Sequence, residues 1–174
     1  INETAELKRI VEFIIEVSLK FNKEVMFPVE IAELLKVTTV TLDKYLHQKL
    51  NDFNYWDMTS TNRENYRDEI RFGIVGKEEN FTTKEILVVF EKFNRKIDEG
   101  LERALEYGRG IYPTYICYEA KSYEILDGKR NPINGYQNVK ITEFEVKVLP
   151  LFLEDPTRIL KGMKDKNKAK KLYD

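Results

Sequence analysis

Apolar residues recur at three- and four-residue steps near the start of the chain: Leu7, Ile10, Val11, Ile14, Val17 and Phe21. This spacing puts them on one helical face and predicts a helix over 4–22. Phe13 and Ile15 widen the stripe beyond one contact face, so apolar surface is expected to remain uncovered there. Pro28 suits the opening of a second helix, with Ile31, Leu34 and Leu35 as its apolar face. A third helix is expected from Thr41, carrying Leu42, Tyr45, Leu46 and Leu50. The stretch 51–61 reads as a loop that holds Phe53, Tyr55 and Trp56.

Thr82-Thr83-Lys84-Glu85 has the Thr-x-x-Glu form of a capping box. It predicts the start of a long helix over 83–107, whose buried stripe is Ile86, Val89, Phe90, Phe93, Ile97, Leu101, Ala104 and Leu105. Gly108 is a natural stop. Beyond Gly110 the period shortens to two, and 112–126 is rich in β-branched and aromatic residues, so strand is expected. Asp127-Gly128 and Asn134-Gly135 are turn dipeptides. Val139, Ile141, Phe144, Val146 and Val148 predict a second strand, and the three-residue step from 141 to 144 predicts a bulge. Asp155-Pro156 predicts a short helix with Asp as N-cap and Pro at its first position, and the basic tail 161–171 a solvated helix. The fold class is therefore α+β. A mostly helical part (1–110) precedes a β-hairpin region (111–149) and C-terminal helices (150–174), in one domain or a fragment of one.

The 174 residues suffice for a real core. A net charge of −1 supplies no general attraction to nucleic acid or anionic membrane. No apolar run approaches the ~18 residues of a membrane span, and the polar opening Ile1-Asn2-Glu3-Thr4 has no secretory-signal pattern. A single Cys117 favours a reducing compartment, so a cytoplasmic location is expected. The chain opens on Ile1 and stops at Asp174 inside a helical pattern, so a piece of a longer polypeptide is expected.

One Cys and one His make no zinc site, and the glycines follow no phosphate-loop pattern, so no metal or cofactor is expected. His47 reads as a surface or packing residue. A glycosidase-type acid needs a carboxyl in an apolar pocket. Glu119 and Glu124, among Tyr115, Tyr118 and Tyr123, come nearest to that setting, though outward strand positions explain them more simply. Residues 31–46 have the pattern of a helix-turn-helix: Ala32 where two helices could cross, Val37 and Leu42 at core positions, Thr41 as a cap for the second helix. Against it, Lys36 stands where a turn Gly is usual, and the reading face of Thr39, Asp43, Lys44 and His47 has no Arg for bases or phosphates. Two packed helices explain the same residues.

Several stretches together resemble a known family. They are Asn54-Tyr55-Trp56-Asp57-Met58, Asn62-Arg63-Glu64-Asn65-Tyr66-Arg67-Asp68-Glu69 and Arg71-Phe72-Gly73-Ile74-Val75-Gly76. Later come Gly110-Ile111-Tyr112-Pro113-Thr114-Tyr115, Tyr118-Glu119 and Leu149-Pro150-Leu151-Phe152-Leu153-Glu154-Asp155-Pro156. In this order they resemble a middle section of large bacterial proteins related to cellobiose phosphorylase, the inverting glycoside phosphorylases of family 94. The opening 3–9 fits the same section. The resemblance implies an (α/α)6 barrel within a larger carbohydrate-metabolism enzyme, a glycosyltransferase that uses inorganic phosphate as co-substrate and needs no metal. It also implies an Asp general acid in an Asp-Trp-Asn-Asp motif. That motif is missing here, since the only Trp lies in Tyr55-Trp56-Asp57-Met58, and no phosphate-binding residues are recognisable. The chain is thus expected to supply scaffold and no catalytic residue, and to be inactive alone. Candidate substrate-binding residues are Trp56, Tyr112, Tyr115 and Tyr118 for stacking, and Arg63 and Arg67 for hydroxyls or phosphate. A salt bridge to Glu64 or Asp68 is the plainer role for the two arginines. The expected partners are the rest of the polypeptide, an oligosaccharide and, through uncovered apolar surface, a second copy of the chain. The alternatives are a DNA-binding regulator and a protein interaction domain.

Overall fold

The computed structural model describes residues 1–130, 132, 135–149 and 154–173. The chain is α+β. Its contacts gather into two compact units, Glu3–Glu102 and Ile1–Asn2 with Arg103–Asp174.

The first unit contains α1 (Asn2–Phe21, from Glu3 onward), β1 (Val25–Pro28), α2 (Val29–Leu46), α3 (Asp52–Glu69), β2 (Glu78–Phe81) and most of α4 (Thr83–Tyr107). β1 and β2 form an antiparallel pair that runs from Val25 opposite Phe81 to Pro28 opposite Glu78. Ala32, Phe81 and Ile86 are buried together, with Ile14, Phe27, Leu35 and Phe90 packed around them. Phe27 meets Phe81 edge to face at 5.4 Å, a favourable aromatic geometry. Neither short strand was expected from the sequence. Four residues ending in Pro28, or reading Glu-Glu-Asn-Phe, show no alternation, and only their pairing makes them strands.

The long helix begins and runs as its capping box requires. Thr82 N–H donates to Glu85 Oε2 at 2.8 Å, and Glu85 N–H donates to Thr82 Oγ1 at 3.3 Å. Ile86, Val89 and Ile97 of its stripe are buried. Phe90 and Phe93 are half-buried and touch edge to face, 5.6 Å apart.

Two expectations are corrected here. Residues 31–46 contain no turn, because α2 runs unbroken over Val29–Leu46. Thr39 and Thr41 donate their hydroxyls to the carbonyls of Leu35 and Val37, at 2.6 and 2.9 Å. Thr41 is therefore satisfied inside the helix and caps nothing, and with no Gly or Pro nearby the backbone has no reason to reverse. Residues 52–61 are not a loop but the first half of α3. Asn51 caps that helix by accepting the N–H of Asn54 at 2.8 Å, and Asp52 complements the helix dipole. The half-buried stripe of α3 includes Thr59 and Asn62 beside Tyr55, Met58 and Tyr66, so an apolar count misses it.

In the second unit, β3 (Ile116–Arg130) and β4 (Gln137–Val148) form an antiparallel hairpin, with Ile116 opposite Val148 and Tyr123 opposite Ile141. The bulge is present: the register shifts on either side of Ser122, which faces Glu143. The expected turn at Asp127-Gly128 is instead an irregular part of β3, where Gly128 has φ of 62°. Asn134 lies outside the described residues. The segment before β3, expected as strand from Tyr112, holds Tyr112 and Thr114 buried. The chain's N-terminal amine donates to the Thr114 carbonyl at 3.2 Å. A Cβ on Gly108 would stand 1.8 Å from the Ile111 carbonyl oxygen, so close approach demands a glycine there. α5 spans Glu154–Gly162 and α6 spans Lys166–Tyr173. The side chains of Asp155 and Pro156, expected to cap α5, lie outside the described residues. Asp165 starts α6 by accepting the N–H groups of Asn167 and Lys168 at 2.9 and 3.1 Å.

Among the described residues, no helix is long and apolar enough to cross a membrane.

Candidate functional site

The first unit carries a cleft of about 700 Å³ between the C-terminal end of α2, the start of α3 and the middle of α4. Its chemistry converges on Tyr45, in the last turn of α2. The Tyr45 hydroxyl lies 2.8 Å from Asp52 Oδ1 and 2.5 Å from Glu99 Oε1. A phenol has one proton to donate, so it bonds one of the two carboxylates at a time while its oxygen lies within hydrogen-bond distance of both.

The backbone brings these groups together in three ways. α2 ends at Leu46, His47 follows as its C-cap, and Gln48 adopts a left-handed φ of 57°. The reversal sends the chain into the Asn51 cap, which fixes Asp52 in the first turn of α3. Glu99 arrives from α4, fifty-four residues away from Tyr45 in sequence. Lys96, one turn earlier, sits 4.0 Å from the Tyr45 ring centroid, 5.1 Å from that of Tyr55 and 3.5 Å from Glu99 Oε1. It therefore combines cation–π contact with an ion pair. The Tyr45 and Tyr55 rings also touch, at 4.6 Å. Burial holds the Tyr55 phenol above its ordinary pKa, and the Glu99 charge pushes the same way. Arg95 and Lys49 line the cleft as well, and among the described residues neither has an ion-pair partner. Carboxylate acceptors, a phenol, the amides of Asn51 and Asn54 and a guanidinium form a donor–acceptor set suited to a polyhydroxylated ligand.

Sequence reasoning did not single out Tyr45, Asp52, Arg95 or Glu99. Tyr45 falls in the helix-turn-helix pattern, Asp52 in the expected loop and Arg95 and Glu99 on a helix read for its packing, and no spacing signal links positions 45, 52 and 99.

The residues that were singled out fall into two sets. Trp56, Arg63 and Arg67 share one stripe of α3, at steps of seven and four. Trp56 is 47% exposed, with Phe53 at 5.8 Å. Arg63 and Arg67 both bind Glu64, at 3.0 and 3.4 Å, which is the salt-bridge role given as the plainer one. In the second unit, Tyr115 and Tyr118 are exposed, and Tyr118 meets Phe144 edge to face at 6.3 Å. Tyr112 is corrected: it is 7% exposed, so its ring is packing and offers no face to a sugar. Glu119 is also no pocket acid. It is exposed and lies 2.5 Å from Lys147 Nζ. His47 is exposed, with Nδ1 2.8 Å from the Asp43 carbonyl, a surface helix-end residue as expected. No group of three or more His, Cys, Asp or Glu among the described residues is placed to hold a metal.

Comparison with protein-family models, with curated proteins and with solved structures finds no match for this chain.

Proposed function

We propose that this chain is a carbohydrate-binding part of a protein of glycoside-phosphorylase type. It supplies scaffold and sugar contacts, and the general acid comes from residues other than these. The observation that carries the proposal is the Tyr45 hydroxyl within hydrogen-bond distance of both Asp52 and Glu99 in a cleft that also presents Arg95. Paired carboxylates accept hydrogen bonds from neighbouring sugar hydroxyls, and a guanidinium donates to ring and glycosidic oxygens. Trp56 lies one helical turn beyond Asp52 and offers a flat, half-exposed ring for a further sugar unit. The resemblance over 54–76 and 110–119 agrees with this reading. In it, the helices of the first unit belong to an (α/α)6 barrel, and the hairpin decorates that barrel. Inorganic phosphate is then the co-substrate of the whole enzyme, which works in the reducing cytoplasm that a lone Cys117 suits.

The test is amide NMR titration of the chain with cellobiose and with a β-1,2-linked glucose disaccharide. Shifts should map to residues 45–56 and 95–99, and Glu99→Gln and Arg95→Ala should each weaken binding roughly ten-fold, the loss of one charge-assisted hydrogen bond. Shifts elsewhere, or binding indifferent to both substitutions, would sink the proposal.

A further inference from the structure

The outer face of α1 is apolar. Ile10, Phe13 and Phe21 are 56, 63 and 58% exposed, and half-buried Val17 lies between the last two. Their three- and four-residue steps make one continuous stripe, roughly 16 Å long at the rise of an α-helix. A solvated surface helix does not need such a stripe, and a face of this kind marks an interaction site.

The charges along one edge of the stripe identify the occupant. Glu6 stands seven residues before Phe13, and Lys20 seven after. Arg9 stands four before, and Glu16 three after. The order is therefore self-complementary when the helix is reversed about Phe13. In an antiparallel helix pair each edge meets the same edge of its partner, running the other way. A two-fold axis at Phe13 then sets Glu6 against Lys20, and Arg9 against Glu16, twice each. Arg9 holds Glu6 through bonds of 2.9 and 3.1 Å, and Lys20 leans over the Phe21 ring at 5.5 Å, beside the stripe. Among the described residues neither Glu16 nor Lys20 has an ion-pair partner.

We propose that α1 is a self-recognition surface on which a second copy of this chain docks antiparallel, about a two-fold axis near Phe13. The contact is isologous: Phe13 packs on its own counterpart, Ile10 and Val17 cover each other across the axis, and the charged edge fixes register and direction. The surface is separate from the cleft at Tyr45, Asp52 and Glu99, which lie on α2, α3 and α4, so this proposal stands or falls apart from the carbohydrate reading.

The test is sedimentation equilibrium of the full chain over a range of concentrations, with helical content followed by circular dichroism. A concentration-dependent doubling of mass is expected. Phe13→Glu should leave a monomer of unchanged helicity. Glu6→Lys and Lys20→Glu should each weaken the dimer roughly ten-fold, because each reversal breaks two surface pairs. Carrying both reversals on one chain should restore it. A monomer at every concentration would overturn the proposal and leave the stripe to another partner. So would a dimer that ignores Phe13→Glu, or charge reversals that do not compensate.

Discussion

The backbone N–H of Val75 donates to Glu30 Oε1 at 2.7 Å. Glu30 is 2% exposed and sits in the first turn of α2, while Val75 lies in the exposed stretch after α3. A carboxylate that deep is costly unless it is bonded, and its second oxygen has no partner among the described residues. The bond ties residues 73–76 to the start of α2, where Val29 N–H also donates to the Lys77 carbonyl at 3.0 Å. Glu30→Ala should destabilise the first unit by about 2 kcal/mol, the loss of one hydrogen bond to a charged acceptor. Thermal or urea unfolding measures this, and hydrogen exchange at the Val75 amide should accelerate. An unchanged Val75 rate would show that the bond does not hold the loop.

The capping box should be the most separable contribution to α4. Thr82→Ala removes the acceptor for Glu85 N–H and should cost about 1 kcal/mol by chemical denaturation. Hydrogen bonds from the Thr82 hydroxyl and N–H hold the Glu85 carboxyl below its ordinary pKa. A lowered folded-state pKa contributes stability that is complete above the unfolded value and lost as pH falls through the folded one. Stability should therefore decline with acid more steeply in the wild-type chain than in Glu85→Gln, below the ordinary carboxylate range. Parallel pH profiles would refute the assignment.

Gly108→Ala should be among the worst single changes in the second unit. The new Cβ would lie 1.8 Å from the Ile111 carbonyl oxygen and 2.9 Å from Pro113 Cδ, and Pro113 is fully buried. Neither neighbour can yield without moving the backbone, so a loss of about 3 kcal/mol is expected in a denaturant melt. Gly100→Ala, with nothing within 4 Å of its added carbon, is the control and should be neutral or stabilising.

DNA binding should be absent. The helix-turn-helix pattern at 31–46 lies within one continuous helix, so it supplies no second helix to a groove. With a net charge of −1 there is no counterion-release term either. A mobility-shift assay with random duplexes at low salt should show no retained band, and a tight, salt-sensitive complex would contradict this.

The chain alone should release no sugar 1-phosphate from β-linked gluco-oligosaccharides and phosphate, because the Asp-Trp-Asn-Asp motif is missing. Release above a blank would place an acid among these residues, and Glu99→Gln would be the first variant to assay.

The sequence by itself determined the elements whose periodicity is strong and local. α1, the capped α4 with Ile86, Val89 and Ile97 inward, and the bulged hairpin of β3 and β4 could all be read from apolar spacing, a Thr-x-x-Glu box and one broken alternation. The sequence also carried the excess width of the α1 stripe, visible in Phe13 beside Ile14. Tertiary structure decided the rest, because the deciding interactions join distant residues or satisfy polar groups. Thr41 looked like a cap until its hydroxyl was seen bonding Val37, and α3 looked like a loop because its half-buried stripe is partly polar. β1 and β2 are strands only because they find each other across some fifty residues. The candidate site is of the same kind. Nothing local marks Tyr45, Asp52 or Glu99, and only the packing of α4 beside the turn between α2 and α3 brings two carboxylates to one phenol.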